Sequence, residues 1–73
     1  MTREREEIIK RALTYLEQRF GEIHVEISEI YTYSKTGVVE VSGSFKRRTD
    51  SIKRRFTIKM RMDNLEVVAF GLR

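Results

Sequence analysis

The sequence predicts an α+β fold in which one N-terminal helix packs on a curved four-stranded antiparallel β-sheet, an α-β-β-β-β meander with β-bulges. Three observations predict it. Apolar residues recur at the helical period over residues 2–20, and from residue 22 onwards they alternate with polar residues at the period of a strand. Short turn sequences divide this second part into four segments, so consecutive strands are expected to lie side by side as hairpins.

Residues 2–20 are predicted to form an amphipathic helix. Thr2 can cap its first turn, and Gly21 provides the left-handed residue at which many helices end. Carboxylates follow Thr2 and Arg19 lies in the last turn, which suits the helix dipole. The apolar stripe consists of Ile8, Ile9, Ala12, Leu13, Leu16 and Phe20, with Tyr15 at its margin.

The sheet is predicted to be strongly curved. The expected strands are at about residues 22–33, 38–48, 53–62 and 65–72. The alternation slips by one residue at Ser28-Glu29 and at Val67-Val68, and such a slip is typical of a β-bulge. Gly43 lies on the apolar face of the second strand, where a glycine usually marks a bend or a close approach of two backbones, and here we expect a bend.

Short turns and an apolar interior complete the predicted fold. Gly37 ends a hairpin loop, residues 49–51 turn the chain, and Asp63-Asn64 is predicted to be a tight two-residue turn because both residues tolerate positive φ. Met62 is expected to point inward with the third strand. The predicted core is Ile9, Leu13, Leu16, Phe20, Val25, Ile27, Val41, Phe45, Phe56, Ile58 and Met60.

Length and composition exclude several classes of protein. A chain of 73 residues is one domain at most, here residues 1–73. It has no cysteine, so disulfides and thiolate metal sites are excluded. No apolar run is long enough to span a membrane and the N-terminus resembles no targeting signal, so we expect a cytoplasmic protein or one from recombinant expression, without a membrane partner.

No catalytic, cofactor-binding or metal-binding set is predicted. His24 is the only histidine, and it alternates with apolar neighbours so that it faces water. Glu22, Glu26 and Glu40 are expected on the open face, solvated and mobile, where they can meet basic neighbours across the sheet. We therefore expect no enzyme, no cofactor and no small-molecule ligand.

Basic residues give the alternative functional hypothesis. The net charge is +4 and the predicted second and third strands are rich in Lys and Arg, opposed only by Asp50. A positive sheet face can bind nucleic acid or an acidic partner, but Tyr31 and Tyr33 lie on the acidic first strand, apart from the cations. Lysine and arginine on strands also prevent aggregation. The predicted basic face is Lys46, Arg48, Lys53, Arg55, Lys59 and Arg61.

Apolar residues that one helix cannot cover suggest a partner surface. For a small sheet protein, the partner that we expect first is a second copy of the chain related by two-fold symmetry, the commonest arrangement of protein oligomers. The residues in question are Tyr31, Tyr33, Val38, Val68, Phe70 and Leu72, and the sequence leaves open which face Val68, Phe70 and Leu72 occupy.

The whole chain resembles the cystatin-like and nuclear-transport-factor-2-like architectures, and within them the de novo designed curved-sheet proteins. The resemblance rests on the helix with its stop at Gly21, the two phase slips, the glycine at 43 and the Asp63-Asn64 turn. It implies a helix wrapped by a bent sheet, and it carries over no activity because neither family's functional motif is matched. The sequence thus favours a structural scaffold without a natural biochemical function.

Overall fold

The computed structural model describes the backbone of residues 2–72 and the side chains of residues 5–72. One N-terminal helix packs against an open four-stranded antiparallel sheet, so the predicted α+β class is confirmed. Strand order in the sheet is β1-β2-β3-β4, as in a meander. The elements are α1 (Thr2–Phe20), β1 (Ile23–Tyr33), β2 (Val38–Arg47), β3 (Arg54–Arg61) and β4 (Val67–Leu72).

Two glycines take the left-handed conformation that the sequence predicts. Gly21 has a φ of 81° and its N–H donates to the carbonyl of Glu17 at 2.8 Å, which ends α1. Gly37 has a φ of 68° and its N–H donates to the carbonyl of Tyr33 at 2.9 Å, which closes the β1–β2 hairpin. The capping contact predicted for Thr2 lies outside the described side chains.

The core lies between α1 and one face of the sheet, and all of it is apolar. Six of the predicted core residues are fully buried, while Val25, Ile27 and Phe20 are half-buried and pack against them. The fully buried set is Ala12, Leu16, Val39, Val41, Phe45, Phe56, Ile58 and Met60. The sheet face that these residues occupy is called the inner face below.

The helix packs with one side of the predicted apolar stripe. Ala12 and Leu16 are buried there, and the small side chain of Ala12 lets the helix backbone approach the sheet. Ile9 and Leu13, both expected in the core, are half-buried and lie outside the group that packs on it. Tyr15 packs on Phe70 of β4 with 5.4 Å between ring centroids. This aromatic contact favours a rotation of α1 about its axis that turns Ile9 and Leu13 away from the sheet.

The strand registers shift at both places where the apolar phase slips in the sequence. Between β1 and β2, Ile27 pairs with Gly43 and Glu29 with Ser42, so Ser28 has no partner in the register. Between β3 and β4, Lys59 pairs with Ala69 and Met60 with Val67, and Val68 is skipped. The result is a curved, open sheet.

At Gly43 the backbones of β1 and β2 approach closely. A Cβ built there would overlap the carbonyl oxygen of Glu26 and would lie 3.1 Å from the carbonyl carbon of Glu26 and from Cα of Ile27. The opposing atoms are backbone, so no side chain can rotate away. Gly43 therefore marks a close approach of two strands, whereas the sequence predicted a bend at this position.

The β3–β4 connection differs from the predicted two-residue turn. It runs from Met62 to Glu66, and the residue with positive φ is Leu65, at 56°, rather than Asp63 or Asn64. The Asn64 side-chain oxygen accepts a hydrogen bond from the Glu66 N–H at 2.9 Å, which forms a local turn that lengthens the loop. Leu65 in turn packs against the core.

Because the loop begins earlier than expected, the inward position predicted for Met62 is wrong. Its side chain is 43% exposed and lies beyond the end of β3. Its backbone N–H donates to the carbonyl of Gly37 at 2.9 Å, so this loop lies beside the β1–β2 hairpin.

Candidate functional site

The candidate site is the outer sheet face, defined as the alternate strand residues that point away from the core. No described helix covers it. Its middle is made of small residues, and larger polar and aromatic residues lie towards its ends. The face comprises His24, Glu26, Glu29, Tyr31, Tyr33, Val38, Glu40, Ser42, Ser44, Lys46, Arg55, Thr57, Lys59, Arg61, Ala69 and Gly71.

The six residues of the predicted basic face are all exposed, but the structure does not bring them together on strands. Arg48 and Lys53 lie in the connection between β2 and β3. A row here means the residues that are paired with one another across neighbouring strands. The other four cations lie in the strands, each in a different row of the outer face, namely Lys46, Arg55, Lys59 and Arg61.

Carboxylates contact three of these six cations: Glu22 and Glu26 meet basic neighbours as expected, and Asp63 adds a third pair that the sequence did not predict. Lys53 Nζ lies 2.8 Å from Glu26 Oε1, and Arg48 lies 3.7 Å from Glu22. The Lys53 ammonium holds the pKa of the Glu26 carboxyl below its usual value, first by its hydrogen bond and then by its charge. These pairs are open to solvent, so each adds little to stability.

The two remaining ion pairs lie in the turns. Arg61 contacts Asp63 at 3.3 Å, and its hydrogen bond lowers the pKa of the Asp63 carboxyl. Arg47 contacts Asp50 at 3.0 Å, and the hydrogen bond from its guanidinium is the main cause that lowers the pKa of Asp50. Asp50 also accepts from the Arg47 backbone N–H at 3.2 Å, so this carboxylate holds the β2–β3 turn rather than the basic face.

Tyr31 and Tyr33 form an exposed aromatic pair at one end of the outer face. Their rings stack with centroids 6.1 Å apart, and the side chains are 55% and 45% exposed. The Tyr33 hydroxyl donates to Glu40 Oε1 at 2.8 Å, and this hydrogen bond raises the pKa of the phenol. Glu40 is half-buried and accepts this hydrogen bond, so it is less exposed to solvent than the sequence predicts.

The strand register places this aromatic pair in line with two cations. Tyr31 faces Glu40, which faces Lys59, and Tyr33 faces Val38, which faces Arg61. The sequence pattern of one strand does not contain this relation. Counting residues outwards from the hairpin at Gly37 pairs Tyr31 with Glu40, but the cations lie on β3, so their alignment also requires the β2–β3 register.

Two open clefts flank the fold. One, of about 640 Å³, lies between α1 and the β3–β4 connection and is lined in part by Ile8, Arg11, Val39 and Leu65. The other, of about 600 Å³, lies at the far end of β1 and β2. It contains the exposed His24 and both exposed ion pairs described above, so its polar groups already contact one another.

The described residues contain no group of three or more His, Asp or Glu side chains placed to hold a metal ion. Within the same part of the chain, no helix is both long and apolar enough to cross a membrane. No family model matches the sequence, and neither a curated protein nor a solved structure matches it.

Proposed function

We propose that this chain is a structural scaffold, a de novo designed curved-sheet protein without a natural biochemical function. The observation that supports this most is the composition of the interior. All fully buried residues in the described part of the chain are apolar, and no buried side-chain N or O atom there lacks a hydrogen-bond partner. Ligand and catalytic sites instead place a few polar groups inside a concave pocket.

Agreement between local and global structure also supports the design proposal. The helix stop at Gly21, the hairpin at Gly37 and the turn held by Asp50 each use a residue suited to the local geometry. Such agreement is the criterion by which a sequence specifies one fold, and Leu65, with its positive φ, is an exception to it here. We also propose that the helix and bent sheet follow the cystatin-like and nuclear-transport-factor-2-like architectures.

The curvature of the sheet fits the same proposal. We interpret the register shifts at Ser28 and Val68 as β-bulges, and Gly43 as the point where β1 and β2 come closest. Bulges and glycines at defined positions are the means by which a sheet is bent on purpose. On this interpretation the scaffold consists of a bent sheet and the single helix that fills its inner face.

A small binding module is the second candidate, and one observation favours it. The rows that join Tyr31 to Lys59 and Tyr33 to Arg61 place stacked aromatic rings and cations on one uncovered face. Exposed rings can stack on bases while cations contact phosphates, which suits single-stranded nucleic acid. Glu40 lies between the tyrosine and the lysine in one of these rows and weakens the attraction for phosphate.

Fluorescence anisotropy with labelled single-stranded oligonucleotides distinguishes the two candidates. A scaffold with a net charge of +4 should show weak binding at low salt that is lost at ~0.15 M salt, because exposed charges are screened there. Binding that survives this salt concentration would contradict the scaffold proposal and support the binding module.

Two matched variants identify the face if binding survives. Lys59→Ala removes a cation from the outer face, and Lys10→Ala removes one from the exposed side of α1. Both lower the net charge equally, so non-specific attraction falls by the same amount. A larger loss of affinity in Lys59→Ala would assign the outer face, whereas equal losses would assign the binding to net charge.

A further inference from the structure

The sheet has two free edges, and they differ in chemistry. β1 and β4 are the outermost strands, and no described strand pairs with their outer sides. A free edge presents unpaired backbone N–H and C=O groups, which form a template for another strand. β4 reads VVAFGL and has no charged residue, whereas each of the other three strands has several ionisable side chains.

The β4 edge also exposes apolar side chains. Val68 is 53% exposed and Leu72 is 40% exposed, and Ala69 and Gly71 between them are exposed as well. Phe70 is half-buried, and the Arg19 guanidinium lies 5.1 Å from its ring centroid on the helix side. Exposed apolar side chains beside an unpaired backbone edge mark a site of association.

The β1 edge, in contrast, has features that prevent pairing. Glu26 and Glu29 are exposed on it. Charged residues are one way in which native sheets protect a free edge. Register shifts interrupt both edge strands, at Ser28 in β1 and at Val68 in β4, so the charged side chains are what distinguishes the two edges.

We propose that β4 is an interaction surface for a second copy of this chain. The two β4 strands pair antiparallel about a two-fold axis and join the two sheets into one of eight strands. Charge selects this arrangement, because copies with a net charge of +4 repel each other and β4 is the one strand that brings no charged side chain to the contact.

Other edge pairings are less favourable. Pairing of β1 with β1 would bring Glu26 and Glu29 of the two copies close together, and like charges across strands are destabilising. Pairing of β1 with β4 would leave a free β1 edge at one end and a free β4 edge at the other, so the same contact could repeat and the assembly would grow, whereas the β4–β4 dimer leaves only charged β1 edges free. Since β4 has only six residues, the β4–β4 contact is small and the dimer should form reversibly as concentration rises.

Sedimentation velocity over a wide range of concentration tests this proposal. The wild-type chain should change from the mass of one chain to that of two, and no further. Val68→Lys should remain monomeric throughout, because it places a charge at the pairing edge on a residue that β3 does not contact in the register. Ala69→Lys is a second variant with the same expected result, should Val68→Lys fail to fold.

Tyr31→Lys is the matched control, since Tyr31 is 55% exposed on the other edge strand and Val68 is 53% exposed. This control should dimerise like the wild type. A wild-type chain that stays monomeric would overturn the proposal, as would dimerisation of Val68→Lys or loss of dimerisation in Tyr31→Lys. Growth beyond two chains would show head-to-tail pairing instead. None of these outcomes changes the oligonucleotide titration, so the scaffold proposal is tested separately.

Discussion

Replacing Phe56 with alanine is expected to lower the free energy of unfolding by about 3–5 kcal/mol, because it removes a fully buried ring and leaves a cavity. Phe56 is 2% exposed, and its ring packs on Phe45 with 6.1 Å between centroids. Gly43 lies opposite it in the register and has no side chain to fill the space. Denaturant unfolding followed by circular dichroism measures the loss.

Tyr31→Ala is the control for this prediction, since it removes an aromatic ring from an exposed position. Its cost should stay below about 1 kcal/mol, because surface changes seldom cost more. If Phe56→Ala cost no more than Tyr31→Ala, the assignment of Phe56 to the core would be wrong, and with it the inner face of β3.

Gly43→Ala is expected to lower the free energy of unfolding by about 3 kcal/mol, the upper part of the range for an overpacked interior. The added methyl group would overlap the backbone carbonyl of Glu26, so β1 has to move away from β2. That movement weakens the pairing of Ile27 with Gly43, next to the register shift. Thermal or denaturant unfolding of the purified variant measures the effect.

Gly71→Ala is the matched control, because it makes the same chemical change in another strand. Nothing lies within 4 Å of a Cβ built at Gly71, so its effect should fall within about 0.5 kcal/mol. Equal effects at the two glycines would contradict the close approach of β1 and β2 at position 43.

Local patterns were enough to predict most of the fold. The change from a helical to an alternating period located α1 and the four strands, and the phase slips coincide with the register shifts at Ser28 and Val68. These features depend on residues near one another in the chain, so the sequence records them directly. Gly21 and Gly37 were predictable for the same reason.

Features that depend on tertiary contacts were not predictable. The rotation of α1 away from Ile9 and Leu13 follows from packing of Tyr15 on Phe70, a residue more than fifty positions away. The left-handed conformation of Leu65 places a large residue where sequence rules favour asparagine or glycine, and packing of its side chain on the core offsets the backbone strain.

The candidate site was predicted least well, for a physical reason. Charge composition identified the basic residues, but the ion pairs that neutralise Arg48 and Lys53 join the β2–β3 connection to Glu22, just before β1, and to Glu26 in β1. The alignment of Tyr31 with Lys59 likewise depends on the registers of two strand pairs. A sequence pattern within one strand contains neither relation.

The measurement that tests the scaffold proposal most directly is thermal unfolding of the isolated chain at low protein concentration, without any ligand, followed by far-UV circular dichroism. The account predicts one cooperative transition with a midpoint above the ~45–65 °C range of ordinary mesophilic domains, because idealised designed folds are typically very stable. A midpoint inside that range would contradict a designed origin. A gradual loss of signal, or a cooperative transition that appears only after an oligonucleotide is added, would contradict the claim that the fold itself is the purpose of the sequence.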